Sequence, residues 1–79
     1  MKIRKKEYGT VNIIGKKAET LRKEQGIKQK DFIAKMQTMG FDINPTSYSK
    51  LEGQIRIATD KEVYAIAKIL NISIDELFE

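Results

Sequence analysis

Apolar residues recur at helical spacing along most of this chain. Ile14, Ala18 and Leu21 follow one another at i, i+4 and i+7, and residues 63–70 repeat that spacing. This spacing places apolar side chains on one face of a helix. Alternation with period two occurs only at residues 55–57, which is too short for a strand. The pattern therefore predicts an all-α protein.

Residues with strong capping preferences divide the chain into five predicted helices. Gly26 is expected to end the first helix and Gly40 the second. The last two helices each open with a capping box, Ser/Thr-x-x-Glu, in which two side chains satisfy each other's backbone N–H groups. These boxes are Thr59 with Glu62 and Ser73 with Glu76. The predicted helices cover residues 12–24, 28–40 (fading from 38), 45–52, 59–70 and 73–78.

The sequence contains residues that mark both the start and the end of the third helix. Asn44 can accept a hydrogen bond from the first turn, and Pro45 suits the first helical position because its missing N–H costs nothing there. At the other end, Gly53 is expected to take the left-handed conformation. Only Tyr48 and Leu51 are large and apolar, one turn apart. A narrow stripe therefore anchors this helix, and Tyr48 is expected in the core.

The remaining side chains of that helix are small hydroxyls and one cation. Thr46, Ser47, Ser49 and Lys50 are expected to face outward. A face without carboxylates suits insertion into a negatively charged groove. The alternative interpretation is an ordinary solvated helix face.

The positive charge lies in the larger, N-terminal part of the chain. Residues 1–56 hold 13 Lys/Arg and 6 Asp/Glu, whereas residues 57–79 hold 2 and 5, for a net charge of +4. This distribution fits a surface turned toward phosphates, although a lysine-rich surface without such a role is equally compatible. Residues 1–11 form a basic arm that either reaches along DNA or is a solvated tail.

Composition excludes several classes of function. Seventy-nine residues allow one domain, and there is no cysteine or histidine to supply a zinc site or the usual general base. We therefore expect no enzyme, no cofactor and no metal. No apolar run is long enough for a bilayer and no signal-peptide core is evident, so we expect a cytoplasmic protein without membrane contact. No site for a small-molecule effector is evident.

An ordered series of short matches resembles the phage-repressor-like family (Cro/lambda repressor, or XRE-type). The matching stretches are residues 14–18, 21–24, 29–34, 48–53 and 67–77. The resemblance implies a compact five-helix bundle over residues 12–79, in which helices 2 and 3 form a helix-turn-helix and helix 3 enters the major groove.

The resemblance also implies roles for individual residues. Gln29 matches a glutamine that contacts phosphate and supports base readout, and Thr46 and Lys50 match positions that reach base edges. Arg22 and Glu52 match a partly buried pair that links helix 1 to the end of helix 3. The predicted DNA-binding set is Gln29, Asn44, Thr46, Ser47, Lys50, Lys28 and Arg56.

Three departures from the family pattern alter these expectations. Four more residues separate Ala34 from Tyr48 than in the compact motif. Helix 2 or the link after it is therefore lengthened, and we expect part of a turn before Gly40. Pro45 stands where a base-reading glutamine is common, and it has no donor. Lys28 stands where a capping Ser or Thr is expected, so helix 2 should begin without a side-chain cap.

Two hypotheses about function follow. The first is a sequence-specific double-stranded DNA-binding transcriptional regulator, expected to be a repressor and a homodimer, with Ile69, Ile74 and Phe78 as candidate dimer contacts. The second is a protein-interaction module, an antitoxin-like or anti-repressor partner that uses the same fold. Phe32, Phe41 and Phe78 are isolated aromatics and are otherwise expected in the core.

Overall fold

In a computed structural model, residues 11–79 are described and form five helices and no strand. The basic arm predicted over residues 1–11 lies outside the described residues, apart from Val11. The predicted all-α fold of five helices is confirmed. The helices are α1 Gly15–Glu24, α2 Gln29–Thr38, α3 Pro45–Glu52, α4 Asp60–Leu70 and α5 Ile74–Leu77.

The first helix begins three residues later than predicted. Asn12 precedes it, and the Asn12 Oδ1 accepts a hydrogen bond from the Gly15 N–H at 2.8 Å. The Asn12 amide also donates to the Leu51 carbonyl at 3.0 Å. Asn12 is therefore used as a bridge between the start of α1 and the end of α3, and it does not belong to the helix.

The predicted lengthening before Gly40 is helical. Helix α2 continues to Thr38, and Gly40 then adopts a φ of 98°. The N–H of Phe41 donates to the Met36 carbonyl at 3.1 Å, which closes the helix with a left-handed turn. A link over residues 41–44 without regular secondary structure follows. As expected, no side chain in the described part of the chain caps the start of α2 at Lys28.

The end of α3 differs from the prediction by one residue. Gly53 is helical, with φ −76°, and the left-handed residue is Gln54, with φ 63°. The N–H of Ile55 donates to the Lys50 carbonyl and that of Gln54 to the Leu51 carbonyl, both at 3.0 Å. The expectation for Gly53 was wrong because the helical conformation continues one residue further before the chain reverses.

The core draws side chains from all five helices and from the link before α3. The rings of Phe32 and Tyr48 lie 5.3 Å apart and join α2 to α3. Phe41 is half-buried, as a cover of the core. Phe78 was wrongly expected in the core: it is 45% exposed, because its neighbour Leu77 takes the inward position. The buried apolar residues are Ile14, Ala18, Phe32, Ile33, Met36, Ile43, Tyr48, Leu51, Ala65, Ile66, Ala67, Leu70 and Leu77.

Candidate nucleic-acid interface

Helix α3 is built as its sequence predicts. The Asn44 Oδ1 accepts a hydrogen bond from the Ser47 N–H at 2.8 Å, and Pro45 occupies the first turn. Tyr48 and Leu51 are fully buried and hold the helix on the core. Because the Asn44 side-chain oxygen caps the helix, its side-chain NH₂ group is the part that remains to contact a ligand.

The outward face of α3 carries Pro45, Thr46, Ser49 and Lys50, all exposed. These four residues occupy positions i, i+1, i+4 and i+5, so they share one side of the helix. Together with Ile55 they line a shallow, open depression, which we call the α3 hollow. Ser47, which was predicted to contribute, is half-buried beside this face. Ser49 was not predicted as a site residue, although its spacing of three from Thr46 would have indicated it.

Gln29 connects the start of α2 to α3. Its amide nitrogen donates to the Glu52 Oε1 at 3.3 Å, and its oxygen accepts from the Ser49 hydroxyl at 3.0 Å. The side chain is half-buried. Gln29 is therefore near the predicted interface, and its amide orients Ser49 on the outward face.

A buried ion pair fixes the other end of α3. The Arg22 Nε donates to the Glu52 Oε2 at 2.8 Å and the Nη2 to the Oε1 at 3.2 Å. The two side chains are 7% and 3% exposed. The hydrogen bond with Glu52 raises the pKa of Arg22 against the opposing effect of burial. The structure thus brings together the pair that the resemblance implied, between α1 and α3.

A polar atom without a partner lies next to this pair. The Tyr48 hydroxyl is buried and has no hydrogen-bond partner among residues 11–79. Burial raises the pKa of Tyr48, and the Glu52 carboxylate adds to that rise. The phenol therefore stays neutral at the inner side of α3.

Arg56 lies in the loop after α3 and is committed to partners inside the protein. Its Nε donates to the Ser47 carbonyl at 3.0 Å, and its Nη1 and Nη2 bond Glu62 at 3.0 and 2.7 Å. Burial would raise the pKa of Glu62, but the hydrogen bonds from Arg56 and from the Thr59 backbone lower it. Through these hydrogen bonds, Arg56 holds the loop against α3 and α4. Lys28 stays exposed at the start of α2.

Two consecutive helices joined by a Gly-containing turn, with the second helix displaying a polar face, define a helix-turn-helix. A sequence model of the helix-turn-helix family matches residues 19–77, and the chain belongs to this phage-repressor-like (XRE/lambda repressor) family of DNA-binding domains. Comparisons with curated proteins and with solved structures found no match. Among residues 11–79, no helix has the length and apolar content needed to cross a membrane.

Proposed function

We propose that this chain is a sequence-specific transcriptional regulator that represses by occupying an operator in double-stranded DNA. The observation that carries the proposal is the exposed face of α3, where Thr46, Ser49 and Lys50 stand on a helix anchored by Tyr48 and Leu51. Lys50 can donate to guanine O6 and N7, and Thr46 can offer a hydroxyl to a base. This function requires access to DNA, and we place the protein in the cytoplasm accordingly.

Phosphate contacts would come from the start of α2. No side chain of residues 11–79 caps its first turn, and the Asp31 N–H donates to the Lys28 carbonyl, so the N–H groups of Gln29 and Lys30 are the ones available to an anion. Lys28 is exposed at that position and adds a positive charge. Gln29 follows it in the chain and accepts a hydrogen bond from the Ser49 hydroxyl. It would therefore connect the residues that bind phosphate with those that read the bases.

The proposal is tested by selecting bound duplexes from a random pool and measuring the affinity of variants for the selected operator. Lys50→Ala and Thr46→Ala should each lower discrimination against random DNA by about tenfold or more. Lys68→Ala removes the same charge from α4 and serves as the matched control. Unchanged discrimination in both α3 variants would remove α3 from the reading role.

A single reading head makes few base contacts, so we propose that the chain binds as a homodimer. Of the predicted contacts, Ile74 and Phe78 are 44% and 45% exposed, whereas Ile69 is half-buried. Sedimentation measurements should show that Phe78→Glu weakens dimerisation. Tyr64→Glu, at an aromatic residue that is 52% exposed on α4, is the control. Equal effects of the two variants would exclude a specific contact at Phe78.

The second candidate function is a protein-interaction module, an antitoxin-like or anti-repressor partner. The observation in its favour is the combination of exposed apolar residues with an acidic C-terminal part. Salt dependence separates the two candidates. Neutralisation of phosphates makes the logarithm of affinity fall steeply with the logarithm of salt concentration, whereas an apolar protein contact responds weakly.

A further inference from the structure

Ile55 is a large apolar residue whose side chain is exposed to solvent beside the outward face of α3. It is 64% exposed and lines the α3 hollow together with Thr46 and Lys50. Pro45, whose backbone nitrogen carries no hydrogen to donate, lines the same hollow. The outward face therefore combines polar groups with an apolar recess.

The backbone at Ile55 is fixed on both sides. Its N–H donates to the Lys50 carbonyl at 3.0 Å. The preceding residue, Gln54, bonds the backbone before α1 through its side chain, at 3.1 Å. The following residue, Arg56, bonds the Ser47 carbonyl at 3.0 Å. The position of Ile55 relative to α3 is thus determined by the fold.

The turn that ends α3 does not explain why residue 55 is a large apolar residue. In the turn that ends α3, the apolar residue at this position commonly packs on the last helical turn of its own helix. Here that turn offers Lys50 and Ser49, and Ile55 remains 64% exposed. An isoleucine so placed contributes little to the core and leaves an apolar surface facing outward.

We propose that Ile55 completes a methyl-binding recess in the α3 hollow, which accepts the C5-methyl group of a pyrimidine in the major groove. This inference rests on the proposed DNA-reading function of α3. Among unmodified bases, only thymine presents an apolar group at the major-groove edge. The side chains of Ile55 and Pro45, with the methyl of Thr46, offer an apolar surface to it, while Lys50 reaches the polar edge of a neighbouring base.

The experiment uses the selected operator with each thymine replaced singly by deoxyuridine, which removes only the methyl group. The affinity of the wild-type protein should fall about fourfold at one thymine of the site, as expected for one methyl lost from an apolar contact. Ile55→Ala should be insensitive to that replacement. Ile57→Ala is the matched control, because Ile57 is 69% exposed in the same loop but does not line the hollow.

The possible results separate the inference from the proposed function. Failure to select any operator overturns the proposed function, and the inference with it. The absence of a methyl-sensitive pyrimidine from the operators of both selections, with and without methylated cytosine in the pool, or equal sensitivity in Ile55→Ala and the wild type, overturns the inference alone. A parallel selection from a pool methylated at cytosine C5 distinguishes the two sources of the methyl group. Enrichment of thymine, or of methylated cytosine, at the sensitive position supports the recess.

Discussion

Removal of the Glu52 carboxylate should destabilise the protein far more than removal of an exposed ion pair. Glu52 is 3% exposed and accepts two hydrogen bonds from Arg22, at 2.8 and 3.2 Å, and one from Gln29 at 3.3 Å. Glu52→Ala leaves the Arg22 guanidinium, itself 7% exposed, without its charged partner. Breaking a buried pair in this way typically costs about 3–5 kcal/mol.

That loss is large for a chain of this size. A domain of 79 residues is expected to have a free energy of unfolding of about 4–12 kcal/mol. With about 4–8 °C of Tm per kcal/mol, Glu52→Ala should lower Tm by roughly 12–40 °C. Urea titration followed by circular dichroism measures the free energy, and thermal melting measures the Tm.

Two comparisons make the reasoning refutable. Lys16→Ala breaks the pair with Glu19, whose nitrogen–oxygen distance is 3.7 Å and whose side chains are 75% and 30% exposed. Its cost should be about 0.5 kcal/mol or less. Replacing both buried partners, Arg22→Met with Glu52→Leu, should restore most of the stability, because no charge is then left unpaired. The reasoning is wrong if Glu52→Ala costs no more than Lys16→Ala, or if the double variant is as unstable as Glu52→Ala.

Three further predictions concern stability. Tyr48→Phe should leave the free energy of unfolding unchanged or raise it by about 1 kcal/mol in urea titrations, because the buried hydroxyl has no partner within residues 11–79. A decrease of more than about 1 kcal/mol would show that the hydroxyl is bonded. Because folding lowers the pKa of Glu62, its ionised carboxylate adds to the free energy of unfolding. This contribution is fully present above the ordinary pKa of 4.5 and is lost as pH falls through the pKa of the folded state. Glu62→Gln should therefore flatten the acid limb of a plot of unfolding free energy against pH, and an unchanged limb would contradict this. Gly15→Ala should destabilise by about 1–3 kcal/mol in the same assay, because its Cβ would collide with the Leu51 carbonyl; a neutral result would mean that α1 can shift.

The sequence predicted the features that depend on interactions within one helical turn. The two capping boxes, the cap at Asn44, the end of the first helix before Gly26 and, among residues 11–79, the absence of a side-chain cap at Lys28 are all found as expected. Each involves groups a few residues apart, so residue type and spacing are enough to specify it. The helix-turn-helix arrangement was available from the sequence only through the resemblance to a family.

Local signals also have limits at the ends of helices. The chain reverses at Gln54 and not at Gly53, because a helix stops where its last carbonyls find partners and glycine only permits a reversal. Similarly, the pattern predicted an apolar Phe78 in the core. In the structure, one short helical turn has room for a single inward residue, and Leu77 occupies it.

The sequence by itself determined which segments are helical, where most of them begin and end, and that α3 carries hydroxyls and a lysine. Only the tertiary structure decided how those groups are used. Gln29 reaches Ser49 across 20 residues, and Arg22 reaches Glu52 across 30. The fold also turned Arg56 toward Glu62 and placed Ile55 at the edge of the outward face. Such contacts depend on how the helices pack, because partners that lie far apart along the chain are brought together only by the folded core.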